Sequence, residues 1–172
     1  LCLSSILSYL STFLVYIQML SRSVYLSPDS WEDGMYTLQC RYEKAIFSYE
    51  TALYLLGLSE REPLQYEVTV LQGYNPTKLK RQNVTVYTVK SEWYLLGITD
   101  CLTPMNNSVK VYNAERTLCD IFKGTCKIKI QAKQFAIKEY LRQSNKNIPL
   151  LMEYAKTLKV EKTLKQYLEV LL

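Results

Sequence analysis

The 172-residue sequence contains no histidine. Histidine is the usual general base near neutral pH, the partner of nucleophilic serine and cysteine, and a common ligand of zinc and non-haem iron. Its absence excludes the Ser-His and Cys-His catalytic pairs and most sites for these metals.

Other signatures of catalysis are also missing. The sequence has no glycine-rich phosphate loop, no Asp-x-Asp pair and no spacing typical of metal ligands. A restriction-type nuclease would need an acidic residue and then Glu-x-Lys on an adjacent strand to hold Mg²⁺. Glu67-Val68-Thr69 lacks the lysine, and Lys110 lacks the preceding acid. We therefore expect a non-enzymatic protein without a cofactor, and a nuclease-like enzyme is only a third alternative.

Cysteines are few and do not form a metal-binding or disulfide pattern. Their number is odd, and no two are spaced as Cys-x-x-Cys; they are Cys2, Cys40, Cys101, Cys119 and Cys126. Scattered cysteines with apolar neighbours are typical of small core residues in a reducing compartment. This pattern predicts a cytoplasmic protein.

Residues 1–21 carry no charge, and Arg22 is the first charged residue. Fourteen of the first twenty residues are apolar, and a helix of that length would rise roughly 30 Å, enough to cross a bilayer. Polar residues such as Gln18 dilute the run, and no basic region or cleavage site precedes Arg22. We expect a truncated or damaged N-terminus, helical or loose, that lies outside the main core and is not a membrane segment.

Positive charge is concentrated at the C-terminal end. Residues 123–172 contain 11 Lys or Arg against four Glu, a balance of +7, whereas residues 1–122 have a balance of −2. A basic region of this kind favours an acidic partner surface or nucleic acid. It is equally compatible with a solvated, lysine-rich helix surface, and both interpretations stay open here.

The clearest local signal spans residues 46–58, a short strand followed by a helix. Ser48 is placed to cap the helix by accepting hydrogen bonds from N–H groups of the first turn, and Glu50 lies in that turn, where the dipole favours a carboxylate. Apolar residues at three- and four-residue spacing predict one buried face that includes Leu53. Gly57 ends the helix because glycine adopts the left-handed conformation without steric strain.

The remaining segments predict strands in the middle of the chain and helices at its end. Strands are predicted at 65–71, at 84–89 and on both sides of a hairpin at Asn106-Asn107. Lys78 to Arg81 lies on the connection between the first two strands. We predict an α+β fold with a small central antiparallel or mixed sheet and capped helices, followed by a C-terminal run of helices.

Two of the predicted helices have specific markers. Ser30 is expected to cap a helix that follows it. A longer helix, from Ile128 to Arg142, has Ile130, Ile137 and Leu141 on its apolar face.

A second distinctive stretch spans residues 111–121 and predicts a helix capped by Asn113. Arg116 and Asp120 are four residues apart and would form an ion pair on one helix face. Such a pair contributes roughly a few tenths of a kcal/mol if it is exposed.

Three stretches carry a family resemblance. They are Val24-Tyr25-x-x-Pro28, the run Ile-Phe-Ser-Tyr-Glu-Thr-Ala-Leu from Ile46 to Leu53, and Glu115-Arg116-Thr117-Leu118-Cys119-Asp120. In their order and spacing they resemble the AbiEi antitoxins of type IV toxin–antitoxin (abortive phage infection) systems. The resemblance runs from about Arg22 to Leu172. The family usually has a histidine where this chain has Tyr49.

The resemblance implies an N-terminal winged helix-turn-helix that binds the operon's promoter, followed by a C-terminal antitoxin domain. Arg22 to Pro28 would be the end of the wing. A recognition helix should precede that point, yet residues 1–21 contain no Lys or Arg, which make most phosphate contacts. We expect residues 1–28 to be a remnant of this module and residues 29–172 to be the antitoxin-like domain, with promoter binding lost.

The predicted function is therefore that of a cytoplasmic antitoxin that counteracts the nucleotidyltransferase toxin of its operon. The alternative is a transcriptional regulator that binds DNA through its basic C-terminal helices. The candidate partner-binding residues are basic: Lys127, Lys133, Lys138 and Arg142, with Lys78, Lys80 and Arg81 as a second group. The family motifs give structural roles to Ser48, Glu50, Arg116 and Asp120. No catalytic or metal-binding residue is expected.

Overall fold

The computed structural model describes residues 18–21, 24–26, 33–124, 126 and 128–171. Within them the chain has an α+β fold with a five-stranded mixed sheet, as the sequence predicts. The strands are β1 (Gln18–Ser21), β2 (Val24–Leu26), β3 (Ile46–Phe47), β4 (Glu67–Leu71), β5 (Thr85–Val89), β6 (Ile98–Leu102) and β7 (Ser108–Tyr112). The helices are α1 (Gly34–Arg41), α2 (Tyr49–Leu55), α3 (Thr77–Arg81), α4 (Ser91–Tyr94), α5 (Ala114–Ile121), α6 (Ile130–Arg142), α7 (Ile148–Thr157) and α8 (Glu161–Leu171).

The central sheet has the strand order β5-β4-β3-β7-β6. Its outer pairs differ: β4 and β5 are parallel, whereas β6 and β7 form an antiparallel hairpin. The short strand β3 joins the two halves, because it pairs antiparallel with β4 and parallel with β7. A parallel pair needs a crossover connection, and between β4 and β5 this connection contains α3, where the sequence pattern predicted only a linking segment.

Both faces of the sheet are covered, and each belongs to a different core. The first core contains Phe47, Val68 and Val111 from the sheet and Met35 from α1. The second core lies among α2, α5, α6, α7 and α8 and includes Leu53. This double cover is consistent with the burial of Thr69, which lies between Val68 and Val70 in the sequence of β4.

Local signals near the turns mostly match the structure. Gly57 follows the end of α2 and has a φ of 69°. Gly97 lies in the turn after α4 and has a φ of 76°. Both values favour glycine. Asn113 caps α5, since its Oδ1 accepts from the backbone N–H of Arg116 at 3.0 Å. Val24–Leu26 forms strand β2.

Three sequence expectations, on the start of α1, the burial of Ile130 and the structure of residues 18–21, were wrong. Asp33, and not Ser30, occupies the N-cap of α1, where its Oδ1 accepts from two backbone N–H groups. Ile130, expected on the buried face of α6, is 51% exposed, because it lies in the first turn at the edge of the second core. Residues 18–21 form a strand paired with β2 rather than a helix or a loose segment.

The expectations for residues 1–17, including the choice between a damaged N-terminus and a membrane segment, lie outside the described residues. Among the helices that the structure describes, none is long and apolar enough to cross a membrane. The boundary predicted at residue 28 stays a prediction.

Candidate functional site

The first motif helix, α2, starts at the end of β3, where Ser48 has an extended backbone. This conformation directs the hydroxyl to the neighbouring strand, and Oγ accepts from Thr69 Oγ1 at 2.9 Å. Both side chains are buried, so each hydroxyl needs the other as a partner. The prediction that the Ser48 side chain caps α2 was therefore wrong, although Ser48 does hold the N-cap position.

A carboxylate from β4 supplies the cap instead. The backbone N–H of Glu50 donates to Oε2 of Glu67 at 2.6 Å, and the other oxygen of Glu67 accepts from the Tyr87 hydroxyl at 2.9 Å. Burial raises the pKa of Glu67 and also that of Tyr87. Glu50 lies in the first turn of α2 as predicted, and its own side chain is exposed.

Tyr49, the first residue of α2, has a φ of 49°. A non-glycine residue in this region is strained and needs support from its surroundings. That support comes from packing: the ring is 3% exposed and lies 3.9 Å, centroid to centroid, from the ring of Tyr87. The first motif thus joins α2 to β4 and β5.

A cavity of about 320 Å³ lies beside this junction. Its lining includes Glu50, Glu67, Gln65 and the fully exposed Leu64. Each oxygen of Glu67 accepts one hydrogen bond, so this carboxylate connects the start of α2 to Tyr87 of β5.

The second motif helix, α5, contains a buried ion pair. Arg116 Nε lies 2.9 Å from Asp120 Oδ2, and Lys123 Nζ lies 2.6 Å from the other oxygen of Asp120. Arg116 and Asp120 are 0% and 1% exposed. The predicted pair is therefore confirmed, but it is buried rather than a surface pair. Removing one partner would leave an uncompensated charge in the interior.

The guanidinium of Arg116 also holds the loop after α4. Nη1 donates to the carbonyl oxygens of Trp93 and Leu96 at 2.5 and 3.2 Å, and the group lies 4.5 Å from the centre of the Tyr112 ring. A Cβ atom on Gly97 would lie 2.8 Å from Arg116 Cβ, closer than packing allows. Arg116 is thus held inside the domain by contacts to α5 and to the loop after α4.

The two motif helices pack against each other. Tyr49 and Leu53 of α2 lie in the same core cluster as Leu118 and Cys119 of α5. Burial of Cys119 raises the pKa of its thiol to about 12. Two stretches far apart in sequence therefore form one packed unit.

A second cavity, of about 230 Å³, lies at the N-terminal end of α5. It is lined by Leu56, Thr99, Asn113, Ala114, Glu115, Tyr140, Gln143 and Asn145. Glu115 is 8% exposed, and its Oε1 accepts from the Tyr140 hydroxyl at 2.9 Å. Sequence reasoning placed Glu115 at a helix start and did not identify it as a site residue. The signal that could have identified Glu115 is its position, because it is an acidic residue in the first turn of a mostly buried helix.

The basic candidate residues belong to different parts of the domain. Lys78, Lys80 and Arg81 are exposed on α3, whose Leu79 lies in the first core. On α6, which packs into the second core, Lys133 is half-buried with Nζ 5.5 Å from the centre of the Phe122 ring. Lys138 is exposed, Arg142 pairs with Glu139, and Lys127 lies outside the described residues.

The part of the chain that the structure describes contains no candidate metal site. No group of three or more acidic or cysteine side chains there is arranged to hold a metal ion.

Comparison with known proteins identifies no relative of this chain. No protein-family model matches the chain, and no curated protein matches it.

Proposed function

We propose that this chain is an antitoxin-type binding domain that acts in the cytoplasm and counteracts a nucleotidyltransferase toxin. The observation that carries the proposal is the packing of the two motif helices, α2 and α5, into one unit. The residues behind the family resemblance make specific contacts within that unit, such as the Ser48–Thr69 hydrogen bond and the Arg116–Asp120 ion pair. The motif residues thus stabilise the packing of α2 and α5 within the domain. We expect the toxin-binding surface to lie outside these motifs.

The cytoplasmic assignment is supported by the cysteines. Cys40, Cys101, Cys119 and Cys126, the cysteines that the structure describes, are all unpaired thiols. Unpaired thiols are typical of a reducing compartment.

The exposed basic residues of α6 are the first candidates for the partner surface. A nucleotidyltransferase must bind nucleotide phosphates and hold metal ions, so its active-site cleft is expected to combine basic and acidic patches. Lys138 and Arg142 could oppose acidic patches there without any catalytic residue of their own. The α3 group of Lys78, Lys80 and Arg81 is the second candidate.

Growth rescue tests both the function and the surface. The toxin encoded beside this chain would be induced in cells with or without the chain, and surviving colonies would be counted. We expect rescue by the natural sequence and weaker rescue by the double change Lys138→Glu and Arg142→Glu. A matched control, Lys44→Glu with Lys90→Glu, changes the same charge at exposed positions elsewhere.

Each outcome of this assay has a separate meaning. Absence of rescue by the natural sequence would contradict the antitoxin function. Full rescue by the α6 variant, with the fold verified by circular dichroism, would move the surface to α3 or to the sheet.

The alternative function is DNA binding through the C-terminal region, favoured by its charge balance of +7. Because phosphate contacts dominate such binding, an affinity without base contacts falls steeply with salt. We expect weak, salt-sensitive binding of duplex DNA in electrophoretic mobility-shift titrations. Tight binding to one promoter sequence at physiological salt would favour the regulator instead.

A further inference from the structure

The buried acidic residues of this domain differ in how their charge is compensated. Among the described residues three acids are buried: Asp33, Glu115 and Asp120. The oxygens of Asp33 accept four hydrogen bonds, two from the first turn of α1 and two from the β6–β7 hairpin. Asp120 has two cationic partners. Asp33 and Glu115 both pair with no Lys or Arg of the described residues. Glu115 is the least compensated of the three acids, because its side chain also accepts only one hydrogen bond from those residues.

The single hydrogen bond to Glu115 comes from a donor whose direction is fixed. The Tyr140 hydroxyl accepts from the backbone N–H of Asn147 at 2.8 Å, so its own proton is directed to Glu115 Oε1. Burial raises the pKa of Tyr140, and the hydroxyl therefore keeps that proton. Glu115 is held as an acceptor, and its second oxygen receives no hydrogen bond from the described residues.

A largely buried carboxylate without a counter-ion is unfavourable. The dipole of α5 offsets part of this, since Glu115 lies in the first turn, but the effect of a helix end is small. The second oxygen of Glu115 is not enclosed in the interior, because Arg116 Nη2 is the one enclosed side-chain polar atom without a partner among the described residues. There is space for a positively charged group next to Glu115, because Glu115 lines the cavity of about 230 Å³. This space is large enough for a planar cation and a short alkyl chain.

The other groups that line the cavity fit a cation. Gln143, Asn145 and Thr99 bring further oxygen acceptors, and no Lys or Arg is among the lining residues. Leu56 and Ala114 form apolar walls. We propose that this cavity binds a guanidinium or primary ammonium group on a short alkyl chain, with Glu115 as its counter-ion. The proposal does not depend on the antitoxin function.

Calorimetric titration with butylguanidinium and its neutral isostere butylurea tests the charge requirement. We expect butylguanidinium to bind about tenfold or more tightly than butylurea, because a charge-assisted hydrogen bond is stronger than a neutral one. Glu115→Gln keeps an acceptor for Tyr140 but removes the charge, and it should abolish the difference. Glu153→Gln, at an exposed position of α7, is the matched control and should preserve it.

A second variant keeps the test independent of how Glu115→Gln folds. Gln143→Arg places a guanidinium in the lining of the cavity, so it should raise the thermal midpoint and weaken butylguanidinium binding. Gln143→Met, of similar size and without charge, should do neither. Equal binding of the two isosteres, absence of binding at millimolar concentrations, or no effect of Gln143→Arg would each overturn the proposal.

The source of the cation is decided by a peptide with one central arginine, compared with the same peptide containing citrulline. Preferential binding of the arginine peptide would identify a protein side chain as the ligand. Binding of butylguanidinium without binding of the peptide would identify a small organic cation. Either result supports the shared chemistry of the site.

Discussion

Ser48 and Thr69 show how a single buried hydroxyl depends on its partner in this domain. Their oxygens are 2.9 Å apart, and both residues are at most 1% exposed. Neither hydroxyl can turn to water when the other is removed. The energetic role of Ser48 is therefore tertiary, although its position at a helix start suggested a local one.

We predict that Ser48→Ala lowers the free energy of unfolding by about 1–3 kcal/mol, since it leaves the Thr69 hydroxyl buried without a partner. Thr69→Val should have a similar effect for the same reason. The double variant should lose less than the sum of the two, because both polar groups are then gone. Urea unfolding of the four proteins measures this coupling, and strictly additive losses would contradict it.

Asp120 compensates two cations, the buried Arg116 and the partly buried Lys123. We predict that Asp120→Ala lowers the free energy of unfolding by about 3–5 kcal/mol, the range for a buried pair that loses one partner. Lys165→Ala, which breaks the exposed pair with Glu161 on α8, should have almost no effect. A small effect of Asp120→Ala in the same urea titration would mean that water reaches the buried cations.

At the scale of elements, α2 is anchored by its apolar face. Leu53 is 2% exposed in the second core, whereas Leu64, in the loop that follows α2, is fully exposed. The same residue type thus has two opposite environments within one segment of the chain. Comparing Leu53 with Leu64 therefore isolates the effect of burial, because the two side chains are the same.

We predict that Leu53→Ala lowers the free energy of unfolding by about 2–5 kcal/mol, through lost burial and the cavity left behind. Leu64→Ala should leave it nearly unchanged. Chemical denaturation monitored by circular dichroism would compare the two. If the two changes had equal effects, α2 would not face the core.

At the scale of the whole molecule, several buried and half-buried thiol and phenol groups have raised pKa values. Burial raises the pKa of the Cys119 thiol from 9.0 to about 12, and it raises the pKa of Tyr66 from 10.0 to about 12. The unfolded chain releases these protons at lower pH than the folded chain does. The stabilisation is therefore complete below about pH 9 and is lost as pH rises towards 12.

We predict that the free energy of unfolding decreases progressively between about pH 9 and 12. Cys119→Ala should reduce the slope in this interval, because one of the groups with a raised pKa is removed. Urea titrations at a series of pH values would measure the slope. A constant stability across this interval would show that these groups ionise alike in the folded and unfolded chains.

Local features were predictable from the sequence because their causes lie within a few residues. Asn113 caps α5 and Gly57 ends α2, since capping and left-handed turns involve only neighbouring backbone groups. The apolar spacing around Leu53 predicted α2, and the strand predicted at 65–71 contains β4, as expected for the α+β class. The motif residues Arg116 and Asp120 were paired correctly because they lie one helical turn apart.

The tertiary structure decided everything that depends on which elements meet. Glu67 caps α2 from a neighbouring strand, and Tyr140 reaches Glu115 across 25 residues. The burial of the Arg116–Asp120 pair follows from the packing of α5, and no spacing in the sequence distinguishes it from a surface pair. The sequence alone therefore determined the α+β class and most of the helices and strands, although not α3 or the strand at residues 18–21. Only the packing of elements set the partners of buried polar groups, because an interior charge or hydroxyl must bond to whatever side chain the fold brings beside it.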